Sequence, residues 1–115
     1  MELEIEIEEI EDCVILRLDG RLDASTTPLL EMKLNTFVEE KHHKILMDFT
    51  GVEYLSSAGI RLILSTTKKL SVKKGGLAIF SLDEDVMSVI KMAGFEKIFH
   101  IFTNEQDALQ YAAQL

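Results

Sequence analysis

Leu3, Ile5 and Ile7 alternate with Glu2, Glu4, Glu6 and Glu8, a period of two that predicts a strand with one dry and one wet face. Glutamates on the wet face suit an edge strand, because charge there discourages edge-to-edge pairing. Glu11-Asp12 reads as a short turn. The apolar run from Cys13 to Leu18 is then a second strand, paired antiparallel with the first in a hairpin, after which Asp19 to Asp23 leads away. A helix is predicted from about Ser25 or Thr27, with Pro28 in its first turn and Leu30, Leu34, Phe37 and Val38 on one face, ending near Glu40 to Lys41. Lys44 to Phe49 is almost continuously apolar, as a central strand covered on both faces should be.

A second helix begins at Ser57 and keeps Ile60, Ile63, Leu64, Thr67 and Leu70 at helical spacing. Lys68, Lys69, Lys73 and Lys74 crowd the end where cations suit the helix dipole, and Gly75-Gly76 stops it. Leu77 to Phe80 is a short strand. Asp83 caps a helix carrying Val86, Val89, Ile90 and Ala93, with Gly94 as its C-terminal stop. Ile98 to Phe102 reads as a last strand, and Thr103 with Gln106 forms a capping box for a final helix through Leu109 and Ala112. The order β-β-α-β-α-β-α-β-α predicts an α/β fold, a mixed, mostly parallel sheet with an N-terminal hairpin and about four helices. No repeat, low-complexity tract or linker interrupts the 115 residues, so one compact domain over 1–115 is expected.

Composition narrows the partners. Twenty acidic residues against twelve basic ones give a net charge of −8, which repels nucleic acid and anionic membrane surfaces. Protein partners are expected, with no direct DNA contact and no membrane insertion. Cys13 is the single cysteine and lies in an apolar run, so no internal disulfide is expected and a buried thiol in a reducing compartment fits. The first residues lack the basic-then-apolar pattern of a secretory signal, and no apolar run approaches the ~20 residues of a membrane span. A soluble, cytoplasmic protein is the expectation.

The candidate chemistry lies between Asp48 and Arg61, where an apolar strand runs into a loop whose Ser56 and Ser57 sit where a helix begins. A serine there has an exposed hydroxyl beside unpaired backbone N–H groups and the positive end of a dipole, suited either to capping the helix or to holding a phosphate. Arg61 lies four residues after Ser57, on the same side of a helix, and reads either as a solvated arginine or as a partner for a carboxylate or phosphate. Asp23 caps the first helix or lines the site, and Asp48, at the end of its strand, is equally two-sided. His42-His43 project apart in a charged turn and lack a ligand partner at metal-binding spacing. Met32, Met47, Met87 and Met92, with Phe95, Phe99 and Phe102, read either as a soft binding surface or as core packing, and most fall on predicted core faces. No nucleophile elbow, Walker motif or dinucleotide fingerprint occurs, so the motifs of the common enzyme classes are missing and no enzyme is expected; no cofactor is implied.

Leu18-Asp19-Gly20-Arg21-Leu22-Asp23-Ala24, the strand ending at Asp48, and Leu55-Ser56-Ser57-Ala58-Gly59-Ile60 together resemble the STAS-domain anti-sigma factor antagonists of bacteria. The resemblance covers almost the whole chain. It implies that Ser57, aligned on Gly59, is the serine phosphorylated by a kinase that is also an anti-sigma factor, with Ser56 as the alternative if the register is off by one. Ser56 occupies the position where the family usually has aspartate, which leaves Asp23 as the nearby carboxylate. The implied partner surface comprises Asp23, Ser56, Ser57, Ala58, Gly59 and Arg61, with a PP2C-type phosphatase restoring the binding form. The alternative is a STAS module that scaffolds another complex, or binds a small ligand or transport partner, without modification at Ser57.

Overall fold

The computed structural model describes residues 3–115. Its elements run β1 (Leu3–Ile10), β2 (Cys13–Leu22), α1 (Thr27–Glu39), β3 (Lys44–Leu55), α2 (Ser57–Val72), β4 (Gly76–Phe80), α3 (Glu84–Ala93), β5 (His100–Phe102) and α4 (Glu105–Ala113). The order of elements is the expected one. The sheet order β1-β2-β3-β4-β5 follows the sequence, with β1 antiparallel to β2 and the remaining pairs parallel. The alternation at β1 continues from Leu3; its first member, Glu2, lies outside the described residues.

Alternation within the strands sorts the apolar side chains into two cores. On one face Val14, Leu16, Leu18, Ile45, Met47 and Ile79 pack against α1, α2 and α3. On the other, Cys13, Ile15, Leu46, Ala78 and Phe80 pack against α4 through Ala108 and Ala112. β3 is the middle strand, and Ile45, Leu46 and Met47 are each at most 1% exposed, as a strand covered on both faces requires. Cys13 is buried, which pushes its thiol pKa up. Met47 belongs to the core, but Met32 and Met92 are exposed, because they fall on the outer faces of α1 and α3.

Several boundaries depart from the sequence reading. β2 does not turn away at Asp19 but continues to Leu22, and β3 runs past Phe49 to Leu55, so residues expected to be loop form a parallel ribbon. At two register shifts β3 carries one residue more than β2, first between the pairs Arg17↔Asp48 and Asp19↔Gly51 and again between Gly20↔Val52 and Arg21↔Tyr54. These bulges allow Phe49, Val52 and Leu55, at odd and even spacings, all to face the same core.

α2 is stopped not at Gly75-Gly76 but by Lys73 and Lys74, the latter at φ +62°, while Gly76 already belongs to β4. The glycines serve close approach instead: a Cβ on Gly75 would lie 2.0 Å from the His43 carbonyl oxygen. Ile98 and Phe99 form a turn before a β5 of three residues. α4 is capped by Asn104, whose side chain accepts from Asp107 N–H at 2.9 Å, one residue beyond the expected Thr103–Gln106 box. α3 matches throughout, with Asp83 accepting from Val86 N–H at 2.8 Å and Gly94 left-handed at φ +85°.

Candidate functional site

The β2–β3 ribbon delivers both halves of the site to the same end of the molecule. Ser56 N–H donates to Leu22 O at 2.8 Å, so the start of α2 is stitched to the end of β2 and the Asp23 loop lies beside the two serines. Gly59 permits the fit, since a Cβ there would lie 2.7 Å from Leu55 Cδ1 and 3.4 Å from Leu22 Cβ. A side chain here would have to displace the tip of Leu55, whereas the backbone of Gly59 itself has no unusual φ.

The cap of α2 is Ser56, not Ser57. Ser56 has an extended backbone, and its Oγ accepts from Gly59 N–H at 3.4 Å, while Ile60 N–H makes the first helical bond to Ser56 O. Serine and aspartate are both good N-caps, so Ser56 does the capping that an aspartate would do. Ser57 is thereby released to be the first helical residue, exposed, with its hydroxyl outside the capping bond. Its own N–H and that of Ala58 belong to the first turn, where helices lack internal acceptors, at the positive end of a 16-residue helix.

Asp23 does not reach across to α2. Its Oδ1 accepts from Ser25 N–H at 3.0 Å, Ser25 Oγ at 2.8 Å and Thr26 N–H at 3.1 Å, building the turn into α1. The hydrogen bond from the Ser25 hydroxyl, helped by the two backbone N–H groups, holds its carboxyl below the usual range. Thr26 locks the same turn, donating from Oγ1 to Arg21 O at 2.6 Å and accepting from Asp23 N–H at 3.0 Å. Ala58 and Arg61 face elsewhere: with Thr27, Glu31, Leu62 and Ser65 they line a shallow groove between α1 and α2. Thus Ser56, Ser57, Gly59 and the Asp23 loop are brought together, and Ala58 and Arg61 extend the surface toward α1.

Two features escaped the sequence reading. Arg21 stacks over the Tyr54 ring at 4.3 Å and approaches Asp23 Oδ2 with Nε at 3.6 Å, forming an exposed cation–π pair at the tip of the ribbon. Their partnership follows from the bulged register, which has no local signature. Asp48 is not at a strand end but in the middle of β3, where it holds Arg17 at 3.0 Å and accepts from Thr50 Oγ1 at 2.6 Å. Arg17 also meets Glu8 and Glu105, each at 2.8 Å, tying β1 and α4 to the sheet. A lone arginine inside the run Cys13 to Leu18 was the available signal, because a charge in an apolar strand must find partners. His42 Nε2 lies 3.5 Å from Glu9 Oε1, and His43 O accepts from Gly76 N–H at 2.9 Å. Among the described residues no helix is long and apolar enough to cross a membrane.

Comparison with known proteins agrees with this architecture. The family model of the STAS domain matches residues 4–108, and the chain belongs to that family. The anti-sigma F factor antagonist of Paenibacillus polymyxa is 29% identical over 110 residues, 95% of this chain and 94% of the relative. The anti-sigma-F factor antagonist RsfB of Mycobacterium tuberculosis is 30% identical over 97 residues, 83% of this chain and 77% of the relative. Among solved structures, an anti-sigma factor antagonist from Mycobacterium paratuberculosis superposes with a TM-score of 0.88 at 23% identity, covering 97% of this chain and 95% of that one. Unphosphorylated SpoIIAA, also an anti-sigma factor antagonist, gives 0.84 at 19% identity, covering 97% and 98%. These structural likenesses establish the fold.

Proposed function

We propose that this chain is an anti-sigma factor antagonist which, when unphosphorylated, binds an anti-sigma factor with serine-kinase activity and so releases a sigma factor, and that phosphorylation at Ser57 ends the binding. The observation that carries this reading is the division of labour at the start of α2: Ser56 caps, leaving the exposed Ser57 hydroxyl at the first helical position for modification. The names of the curated relatives support the partner class. Phosphorylation would add about −1.5 to −2 charges and three acceptor oxygens at a helix N-terminus, where such a group is well tolerated. The switch therefore acts at the partner surface, where bulk and charge replace a small neutral hydroxyl, with little refolding of the chain itself. A PP2C-type phosphatase restores the binding form, and ATP belongs to the kinase. The chain performs no catalysis and works as a cytoplasmic regulator.

The test is incubation with ATP and lysate of its own cells, followed by phosphopeptide mapping, with Ser57→Ala and Ser56→Ala alongside. Modification at Ser57 that survives Ser56→Ala and disappears in Ser57→Ala supports the switch. Modification at Ser56 moves the site by one residue, and none under conditions that phosphorylate other proteins favours an unmodified binding module. In a pull-down of the anti-sigma factor, Ser57→Glu is expected to lose capture and Ser57→Ala to keep it. Arg61→Ala is expected to weaken capture by about 1 kcal/mol without loss of fold, as for a charge at the edge of an interface, and unchanged affinity removes Arg61 from the surface.

A further inference from the structure

The charges of this chain are segregated. Of its 115 residues twenty are acidic, yet none lies between Glu53 and Asp83, a run that holds Arg61, Lys68, Lys69, Lys73 and Lys74, five of the twelve basic residues. Among the described residues α1, α3 and α4 each carry carboxylates, and α2 carries none. On a chain of net charge −8, α2 is a cationic rod on an acidic body.

Its exposed residues form one stripe. At helical spacing Ser57, Arg61, Ser65, Lys68 and Val72 fall within an arc of about 80°. All five are exposed, Val72 at 86%. Half-buried Leu64 borders the stripe on one side, and the groove against α1 runs along the other. Glu31 of α1 is the one carboxylate lining that groove, and among the described residues it makes no ion pair with Arg61. The helix dipole explains neither main cation of the stripe. Arg61 lies in the N-terminal half of α2, and Lys68 precedes the last turn, where Lys69 meets the dipole and donates to Asn35 Oδ1 at 3.3 Å.

We propose that this face of α2 docks an acidic surface of the anti-sigma factor, with carboxylates opposite Arg61 and Lys68, and that charge more than bulk ends the binding when Ser57 is phosphorylated. This docking rests on the partner class and the modified serine proposed above. Arg61 and Lys68 are two turns apart, about 10 Å along the axis, so a partner helix bearing carboxylates at the same spacing matches them. Ser57 heads the stripe, and a phosphate there sets about −1.5 to −2 charges against those carboxylates while cancelling the charge of Arg61. An acidic protein surface fits better than nucleic acid, because the body behind α2 holds all twenty acidic residues.

The test uses the full chain and the purified anti-sigma factor that phosphorylates it, with association followed on a biosensor over a range of salt. The double variant Arg61→Glu with Lys68→Glu should slow association about tenfold and reduce its salt dependence. Lys91→Glu, the same change of charge on α3, should leave the rate unchanged. Ser57→Gln and Ser57→Glu differ in charge and not in size, and the glutamine variant should bind about tenfold tighter. An unchanged rate in the double variant, with capture still lost in Ser57→Glu, overturns this docking and leaves the switch at Ser57 standing. Equal loss in Ser57→Gln and Ser57→Glu makes bulk the cause and overturns the charge mechanism. Equal slowing by Lys91→Glu assigns the effect to net charge and not to this face. Retention on duplex DNA that the double variant loses would give the face to nucleic acid, also against the proposal. Failure of the unmodified chain to bind at all removes the partner class and this docking together.

Discussion

At the residue scale, neighbouring side chains of the same type have been given different work by backbone geometry. Ser56 is extended and caps, whereas Ser57 is helical and exposed, a distinction of one residue that decides which hydroxyl is left free of the capping bond. Asp48 shows the same dependence on position. Burial opposes its charge, yet the two hydrogen bonds from Thr50 and the ion pair with Arg17 prevail and hold its carboxyl below 3.8. A depressed native pKa stabilises the fold above the unfolded value, and that stability is lost as pH falls through the native value. Asp48→Asn is therefore expected to flatten the acid limb of a urea-midpoint profile below pH 3.8, and an unchanged slope there would remove Asp48 from the acid transition. Asp48→Ala, which strips a half-buried arginine of one partner and Thr50 of its acceptor, should cost about 2 kcal/mol at pH 7 in the same assay.

At the scale of elements, helices with a complete local signal were read correctly from sequence. α3 has an aspartate cap, an apolar face and a terminal glycine, and each does in the structure what its chemistry suggests. Strand ends were less legible, because the extension of β2 and β3 comes from pairing with each other across bulges and not from either segment alone. The glycines separate the two kinds of constraint. At Gly94 nothing lies within 4 Å of an added Cβ but φ is +85°, so Gly94→Ala should cost about 1 kcal/mol by backbone strain. At Gly75 the added Cβ would meet backbone at 2.0 Å, so Gly75→Ala should displace the start of β4 and cost about 3 kcal/mol or more. Thermal or urea unfolding of the pair checks the order, and a Gly94→Ala variant less stable than Gly75→Ala would contradict it.

At the scale of the whole molecule, three helices cover one face of the sheet and α4 alone covers part of the other. That arrangement leaves Ser56 and Ser57 at one end of α2 and Lys73 and Lys74 at the other. The net charge of −8 acts at this scale too. Retention of the chain on duplex DNA is expected to be undetectable even at low salt, where electrostatic attraction to a cationic protein would be strongest, and a salt-sensitive mobility shift would overturn that expectation.

Sequence by itself determined the order of elements, the central position of β3, the family and the stretch carrying the candidate site. Each of these rests on local periodicity or a contiguous motif, which needs no knowledge of what lies across the sheet. Tertiary structure decided which serine caps and which is free, where Arg17 and Asp48 find their partners, and that Arg21 meets Tyr54. Those outcomes depend on register, bulges and packing between segments distant in the chain, and the physical reason they were not legible is that no single segment contains both halves of the interaction.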